Sequence, residues 1–532
     1  MSIEHVQRGK VAVVGLGISG ITALKNLIEL GFEATGFERN EYIGGLWQRN
    51  LDPNQTTALK VTKANISKQF SAYHDFPFPD DAPDYCTAEQ VCEYVRSYAA
   101  HFSLAKHFSL GVTIDRIARA TTLTPVKWLV KGHGREGQEF EETFDRVLVT
   151  TGPFSKPFTP RIPGLSEFRG EVLHSMAYKG PEPFLGKRVV IIGLGNTGGD
   201  IAVDLCGVAE TVFLSHRAGS RITSRLNAGK PRDHGLTRRR LAFAGLLNSL
   251  FPRLATVLTA YILDKSFLGA NPEYKKEWKL IPAPPFANVG GVVNDDLMNR
   301  LLDGQITNLS GITRLTPTGI VTSDQGAISV DVVIFATGSY FDYSILSDEA
   351  NPTLFASTEW DESEHMNDLK FPRLYKTLLS TRFPDTLAFI GPCRGFSLAA
   401  FSNSDLASQA VAQIWKGLYP IPSPSKLESW CDRNYVRALK QVRAWRIPKT
   451  GSDPVEFERW LNEAAGNGVN EALGWGWQGW KFWWSERELY RLIVDGINTP
   501  FVYRLFRGRE GSRTQWDGAR AAIYKANGLT PR

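Results

Sequence analysis

Cysteine is scarce and poorly placed for chemistry. The five thiols, Cys86, Cys92, Cys206, Cys393 and Cys431, form no C-x-x-C pair and no zinc-like spacing, so neither a disulfide framework nor a metal site is expected. A reducing compartment, the cytoplasm, fits best. Long runs of one charge are missing too: the net +6 is spread over 532 residues and only Arg238, Arg239 and Arg240 are dense, which argues against nucleic acid as a partner. An anionic cofactor suits such mild basicity. No charged start followed by an apolar core opens the chain, so no signal peptide is expected. The apolar stretch 241–263 is interrupted by Asn248, Ser249, Pro252 and Arg253. A spanning helix needs about 20 mostly apolar residues, so this stretch reads as two shorter, buried or pocket-lining helices rather than a transmembrane segment. The competing reading, an interfacial segment, leaves peripheral membrane contact open. With 42% hydrophobic and 22% charged residues extensive disorder is excluded. The length calls for two or more domains of about 100–250 residues.

What is present is glycine in a repeated pattern. KVAVVGLGISG combines a strand at 11–14, glycines at 15, 17 and 20, and a helix-periodic run over 21–30. Gly15 permits a tight turn, Gly17 lets a pyrophosphate approach the backbone, and Gly20 lets helix and strand pack closely, while the helix start offers N–H groups and a partial positive charge. A second strand, 34–37, ends in Glu38, an acid placed to hydrogen-bond a ribose hydroxyl. Strand, loop, helix, strand and acid in register mark a dinucleotide site far more specifically than the glycines alone. Gly44, Gly45 and Trp47 then leave room for a bulky ring near the backbone. Asn65, judged by spacing alone, is a loop-capping residue. A helix is expected over 89–101 and antiparallel strands over 116–144, with Gly132, Gly134 and Gly137 at turns.

KRVVIIGLGNTGG repeats the opening: strand 189–192, glycines 193, 195 and 198, and an amphipathic helix through Leu205. The next strand, 211–214, is followed by Ser215 and Arg217 instead of an acid. A guanidinium there suits a 2′-phosphate, so NADP is expected over NAD, with Ser215, Arg221 and Arg225 as helpers. Between the loops lies the joint FRGEVLHSMAY, 168–178, with one histidine, His174, and no nucleophile, paired carboxylates or metal cluster. Strands with Thr-Gly turns at 149–152 and 330–338 read as two crossings between nucleotide units, the second inserted in the first. Past them, 387–415 reads as strand, glycine loop and helix. Trp475, Trp477, Trp480, Trp483 and Trp484 read as a packed tail clamping the body. The fold class expected is α/β, with two Rossmann-like dinucleotide-binding domains, one inserted in the other.

With these motifs in place, the sequence resembles the flavin-containing monooxygenases, within the class B flavoprotein monooxygenases, over most of its length. Their identifying pattern, Phe-x-Gly-x-x-x-His-x-x-x-Tyr/Phe, is met by Phe168, Gly170, His174 and Tyr178. Similar wording appears at FERNEYIGGLW, ANISKQFSAYHDFPFPDD, GLGNTGGDIA, VVNDDL, VIFATGSY, TPFVYRLF and WDGAR, and is weak over 116–142 and 423–490. The resemblance implies FAD at Gly15, Gly17, Ser19, Gly20, Glu38, Arg39, Gly45, Leu46 and Trp47. It implies NADPH at Gly193, Gly195, Asn196, Thr197, Ser215 and Arg217, with Thr337 and Gly338 also at cofactor positions. Hydride would pass from nicotinamide to flavin, and molecular oxygen would then give a C4a-hydroperoxyflavin that oxygenates a nucleophilic nitrogen or sulfur of a small molecule. Asn65 matches the amide that, with retained NADP+, protects this intermediate, and becomes the catalytic candidate. His174 is expected to order the joint rather than act as a base. The domains expected are 1–172 and 322–422, the two parts of the FAD domain, 173–321, the NADPH domain, and 423–532, a Trp-rich extension packing on the body. Mammalian members end in a hydrophobic anchor whereas this chain ends in AAIYKANGLTPR, so permanent anchoring is not expected. A homodimer is left open.

Two other readings stand beside this one. Baeyer–Villiger oxidation of a ketone is the nearer; the related joint ends in Trp followed by Pro or Asp, while here Tyr178 is followed by Lys179. A non-catalytic dinucleotide-binding protein would keep both folds without turnover. A disulfide reductase is set aside because Cys86 and Cys92 have the wrong spacing.

Overall fold

β1 (Lys10–Val14) opens the computed structural model, which describes residues 9–120, 125–286, 290–355, 358–362, 369–391, 399–445, 451, 453–513 and 515–530. Its last four residues are buried because parallel neighbours, β2 (Glu33–Glu38) and β7 (Arg146–Val149), flank it, which is why it reads as an unbroken apolar run. α1 (Ile18–Glu29) links β1 to β2 and is buried throughout 20–27, pressed between the sheet and α6 (Ala400–Trp415). α2 (Ala88–His101) starts at a capping box of Thr87 and Gln90. β3 (Phe108–Leu110) extends the sheet beyond β2.

β4 (Val112–Arg119), β5 (Trp128–Gly134) and β6 (Glu139–Phe144) form an antiparallel meander. Of the three glycines expected at its turns, Gly134 and Gly137 bound one, Gly137 N–H donating to the Gly134 carbonyl at 3.0 Å. Gly132 sits within β5, and a Cβ on it would stand 2.1 Å from the Thr113 carbonyl oxygen, so this glycine serves close strand approach rather than a bend.

The chain then crosses through β8 (Lys156–Pro157) into a second unit containing β9 (Glu171–His174), β10 (Arg188–Ile192), α3 (Asn196–Leu205), β11 (Thr211–Ser215), α4 (Arg238–Leu250), α5 (Pro252–Ala270), β12 (Ile306–Leu309) and β13 (Val332–Phe335). Its all-parallel sheet has the order β12-β11-β10-β13-β9. β14 (Ser339–Tyr340) pairs antiparallel with β8, so the outgoing and returning segments run together as one ribbon. β15 (Leu374–Tyr375), β16 (Leu379–Ser380) and β17 (Leu387–Phe389) complete the first sheet, in the order β15-β16-β17-β7-β1-β2-β3. The result is an α/β protein with two dinucleotide-type units, the second inserted in the first. The edges of the second sheet do not fall at 173 and 321: β9 begins at Glu171, and β13 hydrogen-bonds inside this sheet to Phe335. The glycine loop expected between β17 and α6 falls, with Cys393, outside the described residues, and the other four cysteines are unpaired.

Two expectations about apolar segments fail. The stretch 241–263 does split into two helices, at Phe251 and Pro252, yet α4 has no buried residue and α5 buries only Ala255 and Phe267. In the tail, Trp475 and Trp477 are 90% and 80% exposed, and α7 (Trp477–Ser485) buries only Gly479. The tail packs on the body through other apolar residues, among them Trp430, Phe457, Trp460, Leu461, Phe501 and Val502, and through arginines. Arg513 donates to Asp405 at 2.8 Å and Asp75 at 2.9 Å, and Arg504 contacts Asp75 and Glu29 at 2.8 Å. Lys25 of α1 joins them at 2.6 Å from Asp75.

Candidate active site

The first glycine loop is built by contacts that exclude side chains. Gly15 has φ +96°, a Cβ on Gly20 would stand 1.8 Å from the Gly15 carbonyl oxygen, and Thr150 donates its hydroxyl to that same oxygen at 2.7 Å. The N-terminus of α1 has Gly17 at its cap and no side chain bonded to it, which leaves the first-turn N–H groups and their partial charge for an anion. Gly45 lies against Gly17, where its Cβ would approach the Gly17 Cα to 3.0 Å, and Gly44 N–H donates to Leu16 at 3.0 Å. Loop and Gly44–Gly45 turn thus form one backbone-walled cradle, with Leu46 and Trp47 half-buried beside it. Glu38 is buried, accepts from Leu16 N–H at 2.9 Å and from the Asn40 N–H and side-chain amide at 3.0 and 2.9 Å, and retains acceptor capacity. Arg39 is exposed beside it. Ser19 faces inward, 2.8 Å from the Ser404 hydroxyl of α6.

The second loop repeats this geometry at a more open site. Gly193 has φ +119°, a Cβ on Gly198 would stand 2.0 Å from the Gly193 carbonyl oxygen, and nothing lies within 4 Å of a Cβ on Gly195. Gly195, Asn196 and Thr197 are exposed at an N-terminus of α3 that again has no side-chain cap. Asn196 accepts from Val293 N–H at 2.8 Å, Ser215 spends its hydroxyl on Ser310 at 2.8 Å, and Arg217 stands exposed after β11. Arg221 and Arg225, expected as helpers, are buried and have their guanidiniums engaged by protein groups, Arg221 with Asp264 at 2.7 Å and Arg225 with Asp295 at 2.9 Å.

The loop bearing Asn65 belongs to the first unit but is held by the second. Thr62 donates to Asp200 of α3 at 3.1 Å, and Ser67 N–H donates to Asp233 at 2.6 Å. Arg225 donates to the Lys63 and Ala64 carbonyls at 3.0 and 2.9 Å and to Asn65 Oδ1 at 2.9 Å. A guanidinium only donates, so the amide must turn its oxygen to Arg225. Its two Nδ2–H donors are left without a partner among the described residues. Burial raises the pKa of Asp200, countered by donors from Asn294 and Thr62.

The first unit thus carries a backbone cradle at the start of α1, the second an uncapped helix start at α3, and the Asn65 loop of the first is hydrogen-bonded to the second. The profile of the family described as flavin-binding monooxygenase-like matches residues 8–529. The chain belongs to the flavin-binding monooxygenase-like family. This monooxygenase is 36% identical over 519 residues to "Monooxygenase aurF" of Gibberella zeae, covering 97% of each chain. It is 32% identical over 528 residues to the Homo sapiens "Dimethylaniline monooxygenase [N-oxide-forming] 4", covering 97% of this chain and 87% of that protein. Among solved structures, OTEMO complexed with FAD and NADP shares the fold with a TM-score of 0.63 at 19% identity, over 87% of this chain and 98% of that one.

In the monooxygenase the joint is ordered by its histidine. His174 Nε2 donates to the Gly338 carbonyl at 3.0 Å and Nδ1 accepts from Met176 N–H at 3.1 Å, which fixes the neutral tautomer. Burial lowers its pKa, with the Gly338 carbonyl opposing. Both ring nitrogens are therefore occupied, and His174 has no free atom for base chemistry. Gly170 is required because a Cβ would meet the Asp331 carbonyl oxygen at 2.3 Å. Tyr178 is buried and donates to Asp204 at 2.7 Å, and Lys179 donates to the Gln55 carbonyl at 2.7 Å in the first unit. Thr337 and Gly338 lie where the crossing meets the second loop: a Cβ on Gly193 would stand 3.5 Å from Thr337 N, the Thr337 hydroxyl donates to the Phe158 carbonyl, and the Gly338 carbonyl also accepts from Phe158 N–H. Sequence reasoning missed Thr62, Asp200, Asp233 and Asp295, and no local spacing signals them.

Proposed function

We propose that this flavin monooxygenase oxygenates a nucleophilic nitrogen or sulfur of a small molecule. FAD and NADPH are its cofactors. FAD fits the first cradle: Gly15, Gly17, Gly20 and Gly45 leave the backbone bare for the pyrophosphate, the uncapped start of α1 supplies N–H donors, and Glu38 retains acceptor capacity for a ribose hydroxyl. NADPH fits the second, with its pyrophosphate over Gly195, Asn196 and Thr197 and its 2′-phosphate toward Arg217. Held there, FAD would supply the oxygen-activating redox chemistry with NADPH as the hydride source, one oxygen atom going to the substrate and the other, with a proton taken up, to water.

The observation that carries the reading is the orientation of Asn65. Arg225 holds its oxygen, so the amide presents donors, which suit the oxygen-bearing face of the flavin or the nicotinamide amide and suit neither an acid nor a base role. The segments 1–172 and 322–422 would carry FAD and 173–321 NADPH, with β9 and β13 serving the NADPH side. The Tyr178–Lys179 ending of the joint supports heteroatom over ketone oxidation.

Asn65→Ala tests this. Flavin reduction by NADPH should stay at the wild-type rate, while product per NADPH falls about tenfold or more and hydrogen peroxide rises to match. Stopped-flow absorbance should show faster reoxidation of the reduced enzyme by oxygen. A panel of amines, thioethers and ketones decides the substrate class: turnover of ketones alone would replace this reading with Baeyer–Villiger oxidation, and unchanged coupling would remove Asn65 from the site.

A further inference from the structure

A 2′-phosphate carries nearly two negative charges at neutral pH, and the guanidinium of Arg217 matches only one of them. Arg221 and Arg225, next along the chain, are engaged by Asp264 and Asp295. A second cation for this site has to come from a more distant stretch of the second unit.

The segment 278–280 lies directly on the turn that carries Arg217. Gly219, two residues on, has φ +71°, and a Cβ there would stand 2.3 Å from the Leu280 carbonyl oxygen and 2.7 Å from that of Lys279. His216 ties turn and segment together. Its Nε2 donates to the Trp278 carbonyl and to Asn308 Oδ1, both at 3.0 Å, while its Nδ1 accepts from Gly219 N–H at 3.0 Å. Asn308 of β12 also donates its Nδ2 to the Trp278 carbonyl, at 3.2 Å. Lys279 itself ends the short turn 276–278 at φ +50° and ψ +33°, the left-handed region that favours glycine. Such strain persists where the surroundings impose it, and it gathers at functional sites. Packing gives no reason for a lysine here: the residue is exposed, and no described residue forms a hydrogen bond or salt bridge with its ammonium.

Two contacts place Lys279 and Arg217 on one patch. The stem of Arg217 lies against Gly311, where a Cβ would approach its Cγ to 3.2 Å. Ser310, the residue before, accepts from the Ser215 hydroxyl at 2.8 Å and donates its own hydroxyl to Asp324. That hydroxyl is the main reason the Asp324 carboxyl lies below the usual carboxylate range, and the charge of Lys279 acts in the same direction. Both cations therefore border the edge formed by Ser310, Gly311 and Asp324. We propose that Lys279 is the second cation of the 2′-phosphate site and, together with Arg217, selects NADPH over NADH. This role rests on Arg217 being the first cation of that site. Asp324 alone would repel the dianion, and the ammonium near it offsets that charge.

Calorimetric titration of the FAD-loaded full chain with NADP+ and with NAD+ tests this role apart from turnover. Lys279→Gly removes the charge and supplies the residue that the left-handed position favours, so the thermal midpoint should not fall. The Kd for NADP+ should nevertheless rise about five- to tenfold, while that for NAD+ stays within about twofold. The salt dependence of NADP+ affinity should flatten, because one cation fewer meets the phosphate, and Lys279→Glu should weaken NADP+ further. Arg217→Ala separates the possible failures. If it lowers the preference for NADP+ and Lys279→Gly does not, the role of Lys279 is overturned and Arg217 stands; if Arg217→Ala leaves the preference unchanged, the phosphate lies elsewhere and both assignments fall. Equal loss of NADP+ and NAD+ in Lys279→Gly, with a lowered thermal midpoint, would make Lys279 a support of the turn alone and would also overturn the proposal.

Discussion

Arg225 and Asn65 are 160 positions apart and belong to different units, yet one hydrogen bond decides which atom of the amide faces the site. Removing the guanidinium frees the amide to rotate and leaves the Lys63 and Ala64 carbonyls without their donor. Arg225→Ala should therefore behave like a weakened Asn65→Ala, with several-fold more hydrogen peroxide per NADPH, and Arg225→Lys should rescue only in part because an ammonium cannot span three acceptors and Asp295 with a planar fork. Matched product yields in wild type and Arg225→Ala would show that Asn65 orients itself. Arg217 acts on a different quantity. A charge-assisted bond to a 2′-phosphate contributes on the order of 1.5–3 kcal/mol, so Arg217→Ala should lower NADPH over NADH selectivity in kcat/KM by about 10–100-fold, and an unaltered ratio would move the phosphate site elsewhere.

Among the elements, α6 and the arginine tail depend on one another. Asp405 is fully buried and, although burial pushes its pKa up, Arg513 above all holds it well below the usual carboxylate range. Arg513→Ala leaves the buried Asp405 without its guanidinium partner, while Asp75 keeps Lys25 and Arg504, and breaking such a pair costs about 3–5 kcal/mol, so the thermal midpoint should drop by several degrees with flavin still bound in the surviving fold. What could be read from the sequence divides along the same line. β1, its loop and α1 were legible because a dinucleotide cradle is local: turn, close approach and helix start sit within twenty residues. The loop 62–67 was not, since Thr62, Ser67 and Asn65 take their meaning from Asp200, Asp233 and Arg225 in another unit. Gly132 misled because a glycine in a strand and a glycine at a turn look alike until the facing carbonyl is known. Over 241–263 the apolar run was legible, but an apolar run does not say what its side chains meet, and the burial expected of it failed.

For the whole molecule, acid stability follows from His74, which burial pushes down to about 4 against the raising effect of Asp405. The folded value lies below the unfolded value of about 6.5, so neutral His74 favours the fold fully above that pH and the contribution is lost as pH falls through about 4. The unfolding free energy should accordingly decline between these two values, and His74→Gln should flatten the decline when thermal midpoints are compared across the range. His74 bonds at once to α6, through Ser402 and Gln409, and stands beside Asp405, so its protonation loosens the first unit around the tail rather than the second unit.

The ribbon of β8 and β14 has a mechanical meaning. Because the second unit is joined by two segments that pair with each other, Ser339 with Pro157 and Tyr340 with Lys156, the chain leaves the first unit and returns to it at one place, and a turn of the second unit would pivot there. Any such turn drags the 62–67 loop through its bonds to Thr62, Asn65 and Ser67, so the angle of the second unit and the attitude of one amide are a single variable.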